Sequence, residues 1–291
     1  MTPSPQMERA VCDSTPLSED APQRKLAVLI DADNAQPSAT PSLMVEIARF
    51  GIACVRRVYG DWTQPNLAGW KKLLHAHSLL PVQQFQYTTG KNSTDSALII
   101  DAMDLMHTKR FDGFCLVSSD SDFTRLAARL REEGLVVYGF GRRHTPEAFV
   151  KACTRFIYTE LLLPDAAQQT VPLPDTEAPL NRVSPEHGAK ASTSPIALDL
   201  PEGSASQQDE LPDPVQLIRQ AVEATSDENG WAVLPSVAQN ILKNYPQFDT
   251  RLYKHTKFAG LVRAFPALFE LATMARPSGN MDLHIRVKNG G

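Results

Sequence analysis

The chain has 291 residues, 42% of them hydrophobic and 21% charged, with a formal net charge of −4. That composition suits a globular protein longer than one typical domain, and no apolar run approaches the ~18 residues a membrane-crossing helix needs. Cys12, Cys54, Cys115 and Cys153 have no zinc-type spacing and read as reduced core cysteines of a cytoplasmic protein, and the polar, acid-bearing N-terminus has no signal-peptide pattern.

The negative charge is unevenly distributed. Residues 1–23 carry one base and four acids, 24–163 carry 17 and 14, 164–212 carry 2 and 8, and 213–291 carry 9 and 7. The two foldable regions are therefore mildly basic, and a nucleic-acid partner remains open to both. Residues 164–212 hold eight prolines and no aromatic residue, so burial of side chains cannot offset chain entropy there and a disordered linker is expected. The expected organisation is a disordered tail at 1–23, a first domain at 24–163, the linker, and a second domain at 213–291.

From 24 to 163 short apolar runs alternate with amphipathic stretches, the pattern of an α/β fold with a parallel sheet flanked by helices. The predicted strands are Leu26–Ile30, Ala53–Tyr59, Val82–Tyr87, Gly113–Val117, Leu135–Phe140 and Arg155–Tyr158, with helices near 41–50, 66–78, 94–107, 121–133 and 146–152. Two strands end in acid: the first in Asp31-Ala32-Asp33-Asn34, the fourth in Ser118-Ser119-Asp120-Ser121-Asp122-Phe123. These ends converge only if the first and fourth strands are neighbours, as in the order 3-2-1-4-5, whose switch point places ligands at the strand carboxyl ends. Asp31, Asp120 and Asp122 would then line one crevice, and the first turn of the 94–107 helix would deliver Asp95. Carboxylates gathered this way repel one another unless a cation neutralises them. Hard, oxygen-seeking Mg²⁺ or Mn²⁺ suits such a cluster, and the arrangement fits phosphodiester hydrolysis in which divalent cations activate water and stabilise the leaving oxygen.

Simpler readings stand beside these. Asp120 and Ser121 also fit a helix cap, Asp33 a turn that bonds its own backbone, and Asp101 and Asp104 a solvated helix face. His75 and His77 flank one alanine without i,i+4 pairing and are expected to be structural.

Asp31-Ala-Asp-Asn34, Val58-Tyr-Gly-Asp-Trp62, Lys91-Asn-Ser-Thr-Asp95, Asp101-Ala-Met-Asp104 and Ser118-Ser-Asp-Ser-Asp122-Phe123 together resemble an NYN domain, the LabA-like branch of the PIN-like nucleases, over roughly 25–160. The resemblance implies a metal-dependent ribonuclease with Asp31, Asp95, Asp120 and Asp122 as its acidic residues. It also implies that Asn34 orients the first carboxylate or a metal-bound water, and that Ser118 orients Asp120 or a metal-bound water. Lys91, Arg142 and Arg143 are expected to contact RNA backbone, and Trp62 and Tyr87 to stack unpaired bases.

The second region opens with Asp213-Pro214, a cap followed by proline at the first helical position. Helices follow through Leu217, Ile218, Ala221 and Val222, near 235–243 and around 257–265, and then two short strands, Leu268–Leu271 and Leu283–Val287, across a turn at 277–280. Helices ending in a hairpin suggest a winged-helix α+β module. Phe248-Asp-Thr-Arg-Leu-Tyr253, Lys257-Phe258-Ala-Gly-Leu261-Val-Arg263 and Phe269-Glu-Leu271 resemble a LOTUS (OST-HTH) domain, which implies RNA binding or, alternatively, a protein partner. Arg251, Lys254 and Lys257 are the expected phosphate contacts.

The expectation for the whole chain is a ribonuclease acting on RNA phosphodiester bonds with Mg²⁺ or Mn²⁺, coupled to an RNA-binding module. A non-catalytic RNA-binding adaptor is the alternative. A haloacid-dehalogenase-type phosphatase, with Asp31 and Asp33 as nucleophile and acid, is a further one.

Overall fold

The computed structural model describes residues 23–85, 93–163, 211–275 and 281–288. In the first region β1 (Lys25–Asp31), β2 (Ile52–Gly60), β3 (Leu80–Gln83), β4 (Gly113–Val117), β5 (Val136–Gly141) and β6 (Arg155–Tyr158) form one parallel sheet in the order β3-β2-β1-β4-β5-β6. The helices between them are α1 (Thr40–Ala48), α2 (Lys71–Ala76), α3 (Ser93–His107), α4 (Thr124–Glu132) and α5 (Glu147–Ala152). The assumed 3-2-1-4-5 order is thus observed, with β6 added at the far edge.

Both faces of the sheet are covered, so its strands read as nearly continuous apolar runs. Successive side chains of a strand point to opposite faces. On β1, Leu26, Val28 and Ile30 pack with Leu43 and Ile47 of α1, while Ala27 and Leu29 pack with Leu98 and Ala102 of α3 and Leu126 and Leu130 of α4. Each fully buried side chain of this size contributes about 2 kcal/mol of transfer free energy. The same alternation puts Asp31 on the α3 face, and on β2 it puts Arg57 and Tyr59 there as well.

Two sequence expectations are corrected. The third strand, expected at Val82–Tyr87, runs over Leu80–Gln83, and residues 86 and 87 lie outside those described. Pro81 is tolerated because β3 is an edge strand whose outward side needs no ladder donor. Among the described residues Cys54 is exposed, and Cys115 and Cys153 lie in the core. The β1–β2 register steps from Leu26↔Ala53 to Ala27↔Val55, leaving Cys54 as the extra residue of a bulge.

The second region contains α6 (Pro214–Thr225), β7 (Ala232–Val233), α7 (Leu234–Asn244), α8 (Phe258–Arg263), β8 (Phe269–Ala275) and β9 (Met281–Val287). Asp213 caps α6 by accepting from the Val215 N–H at 3.0 Å. The strands pair antiparallel in the order β7-β9-β8 around a core that includes Ile218, Val237, Ile241, Leu261 and Ile285. The turn expected at 277–280 lies outside the described residues.

This small domain seats on the β6 edge. The Phe156 N–H donates to the Pro246 carbonyl at 2.8 Å. Arg251 bridges Asp249 at 2.6 Å and Glu46 of α1 at 3.0 Å, and Glu46 and Asp249 are both buried. Arg155 lies 3.8 Å from Asp249 and stacks over Phe50, which in turn stacks on Tyr138.

Candidate metal centre

Asp95, Asp120 and Asp122 each bring a carboxylate oxygen within 4.8 Å of the others. They arrive from two directions. Asp95 lies in the first turn of α3 and is buried. Asp120 and Asp122 lie in the segment that leaves β4, where Asp120 caps a short 3-10 turn (Ser121–Phe123) by accepting from the Asp122 N–H at 2.9 Å. The cap reading of Asp120 therefore holds together with its place in the cluster: one oxygen caps, and the carboxylate retains further acceptor positions.

Asp31 stands beside this triad at the end of β1, fully buried. Its Oδ2 accepts from Asn34 Nδ2 at 2.7 Å and from Ser118 Oγ at 2.8 Å, and its Oδ1 accepts from the Asp33 N–H at 3.0 Å. Burial raises its pKa, and these three donors work against that rise. A carboxylate has about four acceptor positions, so one on Oδ1 is left open. Ser118 Oγ also accepts from the Asp120 N–H at 3.1 Å. One hydroxyl thus fastens the two acidic strand ends together.

The electrostatics concentrate on Asp95. Burial first, then the charges of Asp31, Asp120, Asp122 and Asp33, push its pKa up to about 7. A helix N-terminus favours an anion by about 1 kcal/mol, which is too little to hold this carboxyl in the ordinary range against four neighbours. The donor set is entirely carboxylate oxygen, and a hard divalent cation is the group that relieves such crowding. The residues fit one.

Asp33 is exposed and accepts from Thr94 Oγ1 at 3.2 Å, so it ties the β1 end to the start of α3 rather than only bonding its own turn. Thr94 is buried there. Asp101 lies away from the cluster: Arg57 and the Tyr59 hydroxyl both donate to it across the α3 face. Asp104 is exposed, as a solvated helix face predicts. His75 and His77 belong to no metal-binding group among the described residues.

The motif after β2 proves architectural in part. Asp61 accepts from Thr63 Oγ1 at 2.6 Å and Gln83 Nε2 at 2.8 Å, bonds that hold its carboxyl far below the usual range. Trp62 is half-buried, and its indole N–H donates to the Val82 carbonyl at 3.1 Å. Lys91 and Tyr87 lie outside the described residues. The Arg142 N–H donates to Ser119 Oγ at 2.8 Å, and Arg143 is exposed on the same loop. Gly141 precedes them at a point where a Cβ would stand 2.6 Å from the Ser118 carbonyl, so only glycine lets β5 approach the acidic motif this closely. Ser119, which the sequence reading left without a role, is the link; its position next to Asp120 was the available signal. In the small domain Lys254 and Lys257 are exposed, whereas the Arg251 guanidinium is held by Asp249 and Glu46.

Comparison with known proteins agrees with this architecture. Residues 25–162 match the NYN domain and residues 209–280 the OST-HTH/LOTUS domain. No curated protein matches the chain. A protein of unknown function from Vibrio parahaemolyticus is similar in structure, with 18% identity and a TM-score of 0.40, over 47% of this chain and 93% of that one. An uncharacterized protein from Nitrosomonas europaea has 30% identity and a TM-score of 0.25, over 32% of this chain and 95% of that one. No helix among the described residues is long and apolar enough to cross a membrane. With a parallel sheet that gathers acid at its switch point and a helical module ending in a hairpin, the chain comprises an NYN domain at 25–162 and an OST-HTH/LOTUS domain at 209–280.

Proposed function

We propose that the protein is a divalent-metal-dependent ribonuclease that hydrolyses RNA phosphodiester bonds, built from a nuclease domain at 24–163 and an RNA-binding module at 213–291, and acting in the cytoplasm. The observation that carries the reading is the meeting of Asp95, Asp120 and Asp122 within 4.8 Å, beside a fully buried Asp31.

Asp95, Asp120 and Asp122 would hold Mg²⁺ or Mn²⁺, with Asp31, close enough for its charge to act on Asp95, as a further ligand. The bound ion would supply Lewis acidity, drawing charge from phosphate oxygens and easing deprotonation of the attacking water. The protein's own part is positional. Asn34 and Ser118 fix the Asp31 carboxylate, and Ser118 couples it to Asp120. Lys91, Arg142 and Arg143 would receive the RNA backbone at the carboxyl-end face, with Trp62 and Tyr87 against its bases. Lys254 and Lys257 would add phosphate contacts on the small domain.

A phosphatase using Asp31 as nucleophile is less well supported, because Oδ2 already accepts two hydrogen bonds and Asp95 would have no role. The test is cleavage of end-labelled RNA with Mn²⁺ or Mg²⁺. The expected products are 5′-phosphate and 3′-hydroxyl ends whose formation a chelator stops. Tight RNA binding without any cleavage would instead assign the adaptor role.

A further inference from the structure

A second concavity lies apart from the acidic crevice, at the seam where the OST-HTH domain meets β5 and β6. It encloses about 220 Å³ and takes its walls from both domains: Arg143, His144 and Tyr158 on one side, Tyr245, Gln247 and Tyr253 on the other. We propose that this seam binds one unpaired nucleobase with its phosphate, a nucleotide of the same RNA strand that flanks the acidic centre; the proposal rests on reading that centre as an RNA-cleaving site.

Size favours a single base. Clefts for drug-sized ligands run from about 300 Å³ upward, so this one suits a planar ring and excludes a duplex. Its lining matches the two ends of a nucleotide. Aromatic rings give a stacking surface for any base, and Tyr253 is fixed there by its hydroxyl donating to the Pro212 carbonyl at 2.7 Å and by its ring against Phe248. The side-chain amide of Gln247 has a buried oxygen with no hydrogen-bond partner among the described residues. Leaving such a group unsatisfied is destabilising, and the polar edge of a base supplies what it lacks.

Charge at the rim suits the phosphate. Arg143 and His144 are exposed there. Of the nearby acids, Glu147 is paired with Lys151 at 2.7 Å, and Glu160 accepts from the Arg143 N–H at 3.0 Å. The same loop leads to the acidic centre, since the Arg142 N–H bonds Ser119 Oγ and Thr145 closes the turn onto the Arg142 carbonyl at 2.6 Å. A strand leaving Asp120 along this loop reaches Arg143 next. A peptide added to the β6 edge is disfavoured, because the Phe156 N–H already donates to Pro246.

The test uses the full chain with chelator, so that RNA is bound but not cut. A single-stranded oligonucleotide carrying 4-thiouridine is irradiated and the cross-linked residues are mapped by mass spectrometry. Cross-links to Tyr158, Tyr245 or Tyr253 are expected, with oligonucleotide affinity about tenfold lower in Tyr245→Ala and retained in Tyr245→Phe. Arg143→Gln, an exposed change that leaves the seam intact, is expected to weaken binding and flatten its salt dependence. Cross-links confined to other surfaces, with unchanged affinity in both variants, would overturn the proposal and leave the nuclease reading standing. A nucleoside monophosphate binding as tightly as the oligonucleotide would also overturn it, by making the seam a site for free nucleotide. Seam cross-links in a protein that cuts no RNA with Mn²⁺ would uphold the seam and refute the nuclease reading.

Discussion

Ser118 Oγ donates to Asp31 Oδ2 at 2.8 Å, joining the ends of two strands 87 residues apart in sequence. Because the same oxygen accepts from the Asp120 N–H, Ser118 fixes where Asp31 stands relative to the Asp95–Asp120–Asp122 cluster. Removing its hydroxyl leaves Asp31 two donors. Ser118→Ala is therefore expected to fold normally and to lose about 10- to 100-fold in Mn²⁺ affinity or cleavage rate, the usual effect of losing a partner that orients a metal site. Isothermal titration with Mn²⁺ checks this, and an unchanged affinity would show that Ser118 does not position the site.

Asp95 makes the acidic site sensitive to pH. Its pKa of about 7 lies above the unfolded value of 3.8, so the native state holds this proton more tightly than the unfolded chain does. The sign follows: stability without metal is greatest below about pH 4 as far as this group is concerned, and falls as pH rises through about 7. A divalent cation must displace the same proton. Mn²⁺ affinity is thus expected to rise between pH 6 and pH 8 (roughly the range flanking that pKa), with proton release on binding. Thermal unfolding in chelator and in Mn²⁺ across this range checks both signs.

Asp101 is expected to separate stability from metal binding. Arg57 and Tyr59 both bond its carboxylate on the α3 face, and hydrogen bonds to charged groups contribute about 1.5–3 kcal/mol. The pair is partly exposed, at 27% for Arg57 and 23% for Asp101, which places Asp101→Ala near the lower end, about 1–2 kcal/mol. Urea unfolding should report that loss while Mn²⁺ affinity stays within twofold of wild type.

Arg251 should be needed to keep the two domains together. Its guanidinium neutralises Glu46 and Asp249, which are 6% and 7% exposed. Arg251→Met leaves buried Glu46 with only the exposed Arg49 at 2.9 Å and buried Asp249 with only Arg155 at 3.8 Å, a loss on the order of 2 kcal/mol. One cooperative unfolding transition is expected to split into two, because the domains would then unfold separately. A single transition at unchanged midpoint would show that the bridge contributes nothing to docking.

The acidic centre was legible because each of its parts sits at a sequence landmark. Asp31 and Ser118 end apolar runs, and Asp95 opens an amphipathic helix; once β1 and β4 are neighbours, strand alternation brings them to one face. What could not be read depends on distant or local exceptions to those patterns. Arg251 looked like a surface cation near other bases, but its partner Glu46 is 205 residues away in sequence. The third strand, expected from Val82, starts before Pro81, because the edge position of β3 makes the missing donor of that proline harmless. Cys54 follows the apolar pattern of β2, yet a bulge turns it outward.

The account stands on the acidic cluster as an RNA-cleaving metal centre. Its most direct test is the rate of RNA cleavage in Mn²⁺ by wild type against the Asp120→Asn/Asp122→Asn double variant, with RNA affinity measured in chelator for both. The account predicts cleavage by wild type, a loss of at least about 100-fold in the double variant, and comparable RNA affinity in the two. Equal rates for both proteins, or no cleavage by wild type, would contradict it.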